Sequence, residues 1–526
     1  MDQLDKFKNL SDYVDSFTSK FSDRIAYTSV GREFSFYDVD IASKRLASFM
    51  QNTLNLQQGD RIAIQLPNLV QYPIAVFAAL RAGLIIVNTN PMYTPREMQH
   101  QFNDSDAQAL IIFDQILPAL DAIRAEIPVK HVIVAGAMDL ITGIPEVQTG
   151  NISTNDQGNF SFADILSKQD SIDVVPSTAS MEDIAVLQYT GGTTGVSKGA
   201  ALSHRNVMAN FTQTSERAKP TYQDCQEVLI CPLPLYHIYA FALGMFFTGA
   251  HGNHTVLIPN PRDLDATVAA MKPYQFTMFA GLNTLFVGLC MHDGFKALDF
   301  SKLKITLSGG TALMDATASM WEKTTGCKIC EGYGLSETSP VVTLNDAVEP
   351  MIGTVGTPLV DTEVELWDEN DQPVPEGEPG ELVCRGPQVM VGYWNRPEET
   401  AKVMKNGFFK TGDVAVRLPS GHIKIVDRLK DMIIVSGFNV FPNEIEGVLV
   451  THPDILEAAV IGEPDERTGE KVCAYFTASK PIDTADVEAF CREQLTNYKV
   501  PKKIVQLEAL PKSSVGKILR RELRSA

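Results

Sequence analysis

The sequence is short of the features that would set it apart from ordinary globular proteins. Its eight cysteines among 526 residues are too few for a disulfide scaffold and suit a reducing cytosol. The CxxC pair Cys327 and Cys330 has no second pair or His cluster near it, and reads as structural thiols in a buried strand. Positive charge is scarce: Lys and Arg total 45 against 64 Asp and Glu, a net charge of −19. That balance excludes general nucleic-acid binding, because the phosphate backbone rewards basic faces. Residues 1–6 lack a basic start followed by an apolar run, so no secretion signal is expected. Long hydrophobic runs are missing too. The longest, 72–87, is broken by Arg81 and Gly83, and it predicts a buried helix followed by a strand over 84–87, not a membrane span. Internal repeats and low-complexity tracts are absent.

What is present is the balance of a soluble globular chain, 44% hydrophobic and 21% charged, at a length that calls for two or more domains. Short apolar runs such as 61–66 and 109–113 each precede a helical pattern, the alternation of βαβ units. Residues 361–392 differ. An alternating run over 363–367, a Pro/Gly-rich turn over 373–380 and a second run over 381–384 predict an antiparallel, hairpin-rich insert. The charged cluster Asp427-Arg428-Leu429-Lys430-Asp431 lies between two apolar strands and marks a boundary. The expected fold is α/β and multidomain. A large N-terminal domain spans 1–427, with βαβ-type sheets and a β-rich subdomain near 350–426. A small α+β domain spans 428–526, with strands over 458–461 and 472–476, a helix over 486–495, and the hinge near 427–431. From Tyr498 onward eight basic residues meet two acidic ones, a surplus of six, which suits a solvated tail or one that meets polyphosphate.

The densest chemistry lies in Leu187-Gln188-Tyr189-Thr190-Gly191-Gly192-Thr193-Thr194-Gly195-Val196-Ser197-Lys198-Gly199. Its glycines let the backbone approach a ligand closely, while threonines and a lysine supply donors, the make-up of a phosphate cradle after a strand over 184–189. It is not a Walker A loop, since Gly199 follows Lys198, and it does not match GxGxxG.

Six further segments follow in order: Pro234-Leu235-Tyr236-His237-Ile238-Tyr239, Ser308-Gly309-Gly310-Thr311-Ala312-Leu313, Glu331-Gly332-Tyr333-Gly334-Leu335-Ser336-Glu337-Thr338, Lys410-Thr411-Gly412-Asp413, Asp427-Arg428-Leu429-Lys430-Asp431 and Pro511-Lys512-Ser513-Ser514-Val515-Gly516-Lys517. Together with the loop they resemble, over nearly the whole chain, the signatures of the acyl-adenylate-forming superfamily of acyl-CoA ligases, luciferases and peptide-synthetase adenylation domains. The resemblance implies ATP, Mg²⁺ and coenzyme A as cofactors. It puts Thr190, Gly191, Gly192, Thr193, Thr194, Gly195 and Lys198 on the phosphates, with Thr190 and Glu337 as hard oxygen ligands for Mg²⁺. Asp413 accepts hydrogen bonds from a ribose diol, although Asp after a Thr-Gly turn also serves as a plain turn-former. Arg428 binds ribose or phosphate, and Gly309, Gly310, Glu331, Gly332, Tyr333 and Ser336 form the adenine and ribose walls. His237, Tyr239, Phe241 and Gly309 line the acid site, Phe241 at the position of an aromatic tunnel gate.

Attack of a carboxylate on the α-phosphorus brings two anions together, so catalysis is mostly positioning and charge neutralisation. The resemblance gives that work to Lys517, with Lys198 and Glu337. It also makes the small domain mobile: rotation about Lys430 withdraws Lys517 and presents Ser436-Gly437-Phe438-Asn439 to the pantetheine, Gly437 leaving room for it. Ile434 and Ser436 stand where plant aryl-CoA relatives often carry lysines.

The segments 387–394, 435–444 and 516–524 resemble bacterial long-chain fatty-acid–CoA ligases. The expected substrates are therefore a fatty acid, ATP and coenzyme A, in the cytoplasm and with peripheral membrane contact, since the acid is poorly soluble. A homodimer is compatible with this reading. Two alternatives stand beside it: a medium-chain or aryl-acid ligase, and a fatty-acid-binding or membrane-delivery protein with degraded catalysis.

Overall fold

The computed structural model describes residues 4–190, 197–436, 438–512 and 518–524. Two large, mostly parallel sheets dominate the N-terminal domain. In the first, of eight strands, Ile184–Thr190, Ile85–Asn88, Arg61–Gln65, Ala107–Phe113, His131–Ala135 and Phe160–Ser161 run parallel. Lys198–Ser203 and then Gly392–Tyr393 close it antiparallel. In the second, of nine strands, Ile25–Ser29, His254–Leu257, Val228–Cys231, Met278–Gly281, Ile305–Ser308 and Ile329–Gly334 form the parallel centre.

These strands are apolar along their length because helices cover both faces of a parallel sheet. The segment over 72–87 shows how the local pattern builds this. It forms the helix Gln71–Arg81, every residue of which is buried, and then the strand Ile85–Asn88. Arg81 is tolerated there because its guanidinium pairs with Asp15 at 2.7 Å and Asp40 at 2.6 Å.

The hairpin-rich segment forms an antiparallel sheet of five strands: Glu363–Trp367, Gly380–Arg385, Met404–Lys405, Phe408–Arg417 and Ile423–Arg428. It is stitched to both large sheets, since Thr357–Pro358 joins the nine-stranded one and Gly392–Tyr393 the eight-stranded one. The small C-terminal domain is α+β. Its sheet pairs Ile433–Val435, Phe438–Val440, Ile455–Asp465, Gly469–Ala478 and Lys503–Gln506, and its helices Pro442–Leu449 and Thr484–Gln494 cover a separate core around Ile445, Val460 and Phe476. Among the described residues no helix is long and apolar enough to cross a membrane.

Candidate active site

The C-terminal ends of the parallel strands of both sheets open onto one cavity of about 2060 Å³, bounded also by the antiparallel sheet and the C-terminal domain. That is the crevice where open α/β sheets place ligands. Thr190 ends its strand directly opposite Lys198, the first residue of the next. The strands on either side of the Gly/Thr segment are therefore antiparallel neighbours, whereas the strand before a Walker loop is followed by a helix. Ser197 Oγ donates to Thr190 O at 2.6 Å, and His100 Nε2 meets Ser197 O at 2.8 Å. Gly191, Gly192, Thr193, Thr194 and Gly195, expected on the phosphates, lie outside the described residues, as do Gly437 and Lys517.

Where the sequence leads one to expect the phosphates, the Lys198 ammonium stands 4.9 Å from the centre of the Tyr393 ring and pairs with Glu399. Tyr393 donates its phenol hydrogen to Glu337 Oε1 at 2.9 Å. Burial raises the Glu337 pKa, and the bond from Tyr393 works against that rise. Thr190 and Glu337 both line the cavity.

Where the sequence leads one to expect the ribose, Asp413 and Arg428 sit across from each other on neighbouring strands, which puts both side chains on one face. Arg428 Nε donates to Asp413 Oδ1 at 2.7 Å, and Tyr333 donates to Oδ2 at 2.6 Å. The buried carboxylate is thus aimed by two donors from two sheets. Gly309 and Gly310 follow the strand Ile305–Ser308. Gly310 has φ +83°, which disfavours any side chain, and a Cβ on Gly309 would stand 3.5 Å from the Tyr239 ring. Glu331, on the strand Ile329–Gly334, is buried, and its Oε2 has no partner among the described residues. Burial, its main perturbation, pushes its pKa up to about 7. Gly332, Tyr333 and Ser336 line the same wall, and Lys430 stands exposed at the rim.

Beyond His237 a branch of the cavity is lined by Asn210, Thr214, Arg217 and Ala218 of the helix His204–Ala218, by Tyr239, Ala242, Leu243 and Phe247, and by Met278, Ile305, Leu307 and Cys330, a lining that mixes polar and apolar side chains. The two helical sets repeat at helical spacing. The segment Ala242–Phe247 is π-helical, a form that concentrates at functional sites. His237 caps the preceding turn, its Nδ1 accepting Tyr239 N–H at 3.5 Å.

Phe241 departs from expectation. It is fully buried against Phe246, ring centres 5.3 Å apart, and faces the core; Leu243 and Phe247 face the branch instead. The physical reason is helical phase, since Phe241 falls between Tyr239 and Leu243 on the opposite side of the turn.

Sequence reasoning missed three residues. Tyr393 and Glu399 hold Glu337 and Lys198 as described. Arg520 ties three segments together through Glu446 (2.7 Å), Asn443 (2.6 Å), Asp427 (3.2 Å) and Asp431 (3.4 Å). Each relies on partners far away in the chain, so no local spacing announced it.

With Thr190, Lys198, the doubly held Asp413 and the branch beyond His237 lining one cavity, the chain's kinship can be stated: it belongs to the AMP-binding enzyme family. That family's model matches residues 14–394, and the model of the AMP-binding enzyme C-terminal domain matches residues 444–517. Among curated relatives, a long-chain-fatty-acid–CoA ligase of Escherichia coli O6:H1 is 41% identical, covering 99% of this chain and 95% of its own. The Bacillus subtilis long-chain-fatty-acid–CoA ligase is 35% identical, covering 98% and 94%. Among solved structures, ATP-bound MatB from Rhodopseudomonas palustris superposes with a TM-score of 0.86 at 28% identity, covering 98% of each chain.

Proposed function

We propose that this chain is an AMP-forming ligase that joins a long-chain fatty acid to coenzyme A. ATP and the acid first give acyl-AMP and pyrophosphate; coenzyme A then displaces AMP to give acyl-CoA. The observation that carries the reading is the continuity of the cavity, which joins the lining beyond His237 to a buried, doubly aimed carboxylate and to Thr190 and Lys198, the residues that flank the glycine-rich segment. A pure lipid carrier has no use for Asp413 so held in a cavity that Lys198 and Glu337 also line. Relatives named as long-chain-fatty-acid–CoA ligases favour a long chain over an aryl ring.

In this reading Asp413, oriented by Tyr333 and Arg428, grips the ribose diol, and Gly309, Gly310 and Glu331 to Tyr333 bound the adenine. Thr190 and Glu337 are hard oxygen donors that fit Mg²⁺ held mainly through phosphates and water. The metal supplies charge neutralisation on the polyphosphate. Lys198 takes phosphate charge, and His237 stands beside the carboxylate of the acid. Lys517 lies outside the described residues, and its role as the lysine bridging carboxylate and α-phosphate rests on the motif 511–517. Flanking residues Lys512, Ile518 and Leu519 line the cavity, which supports it. The division of the chain into 1–427 and 428–526, with rotation about Lys430 between half-reactions, belongs to the same reading. So does a cytosolic location with peripheral membrane contact; recovery of all activity in the soluble fraction with membranes present would count against that contact.

The deciding experiment is acid-dependent exchange of labelled pyrophosphate into ATP, from acetate to oleate, with and without coenzyme A. Exchange that rises with chain length, and acyl-CoA formed once the thiol is added, is the expected result. Absence of exchange with every acid would refute the reading.

A further inference from the structure

Lys198 already has an anionic partner where the reaction calls for a triphosphate. Glu399, on the short helix Pro397–Val403, pairs with its ammonium, and the two side chains are 31% and 28% exposed. Glu399 is held in turn. Arg396 Nη1 reaches its Oε1 at 3.4 Å, and Arg396 Nη2 donates to Asp104 Oδ1 at 2.7 Å. Asp104 Oδ2 accepts from Tyr189 at 2.7 Å. The backbone fixes the same segment to the hairpin, since Gly392 and Tyr393 pair with Ala201 and Ala200, and Trp394 N–H donates to Gly199 O at 2.8 Å. Tyr189 stands just before the Gly/Thr loop and Lys198 just after it. The side-chain belt Tyr189–Asp104–Arg396–Glu399–Lys198 therefore closes across the hairpin, gripping both ends of the loop. A carboxylate in that place opposes a bound polyphosphate, because like charges brought together raise each other's energy.

We propose that Glu399 is a resident stand-in for the triphosphate: it holds Lys198 in the nucleotide-free enzyme and yields it when ATP binds, so that ATP affinity is set by exchange of one anion for another. The inference rests on the ATP-dependent reading above. The exchange keeps the lysine extended and oriented between turnovers, sparing the ordering of a free side chain at binding. It also gives the lysine a partner as pyrophosphate leaves, which eases release. Because the pair is partly exposed, its hold is modest, and its removal changes affinity by about 2- to 5-fold.

The test is calorimetric titration of ATP, and separately of pyrophosphate, into the full-length protein with acid and coenzyme A omitted, comparing wild type with Glu399→Gln and Glu399→Ala. Both variants are expected to bind each ligand about 2- to 5-fold tighter, with the gain shrinking at high salt. Pyrophosphate should also become the stronger product inhibitor. Unchanged affinity in both variants overturns the proposal, because Glu399 then does not compete. Weaker binding in both overturns it too, because Glu399 would then aim Lys198 at the phosphates. A wild-type protein that binds no ATP would instead remove the ATP-dependent reading, a result distinct from either.

Discussion

Glu331 offers the sharpest quantitative test of the site's electrostatics. It is 7% exposed, one carboxyl oxygen has no partner among the described residues, and burial lifts its pKa from the usual 4.5 to about 7. The folded state therefore holds a proton that the unfolded chain releases at lower pH. Its contribution to stability is fully present below pH 4.5 and is lost as pH rises through about 7. A shift of this size corresponds to about 3 kcal/mol between the two ends of that window. Glu331→Gln keeps the shape and stays neutral at every pH. It should match wild type near pH 5 and be more stable near pH 8, by up to about 3 kcal/mol less the cost of any amide hydrogen left unpaired. Urea midpoints of the two proteins, taken side by side without nucleotide at both pH values, measure the difference. Parallel pH dependence in wild type and variant would refute the argument, since it would mean that the carboxyl is ionised and solvated in the folded protein.

The remaining expectations concern function. Leu243→Trp projects an indole into the branch beyond His237, and should cut kcat/KM for long acids by at least about 10-fold while sparing short ones, read by competition across chain lengths; equal loss for all acids would place the chain elsewhere. Asp413→Asn leaves Arg428 and Tyr333 facing an amide and weakens the diol grip, so the KM for ATP should rise about 10- to 100-fold, with the KM for acid little changed. Lys517→Ala should lower adenylation by about 100-fold or more yet still convert supplied acyl-adenylate to acyl-CoA; equal loss of both half-reactions would contradict the rotation about Lys430.

Much of the fold was legible because its signals are local. The apolar run over 109–113 is the strand Ala107–Phe113, the interrupted run over 72–87 is a helix and a strand, and the run of helical spacing over 486–495 is the helix Thr484–Gln494. The hairpin over 361–392 also formed, as Glu363–Trp367 with Gly380–Arg385. Within the site, however, the identity of a residue did not reveal its orientation. Phe241 reads as an aromatic gate, but one residue of helical phase decides between cavity and core, and the π-helical turn after it resets that phase. Tyr393 and Glu337 are 56 residues apart, and nothing in either neighbourhood predicts that they meet.

The sequence by itself determined the class of elements, the glycine-rich segment after a strand and the kinds of side chain available for a site. These follow from periodicity, backbone freedom and functional-group chemistry, which act within a few residues. Only the tertiary structure decided which of those groups converge: Tyr333 with Arg428 on Asp413, Tyr393 with Glu337, and Glu399 with Lys198. Such pairings depend on strand order and on register between distant segments. Those are set by burying whole sheet faces together, a property of the assembled core that no short window of sequence contains.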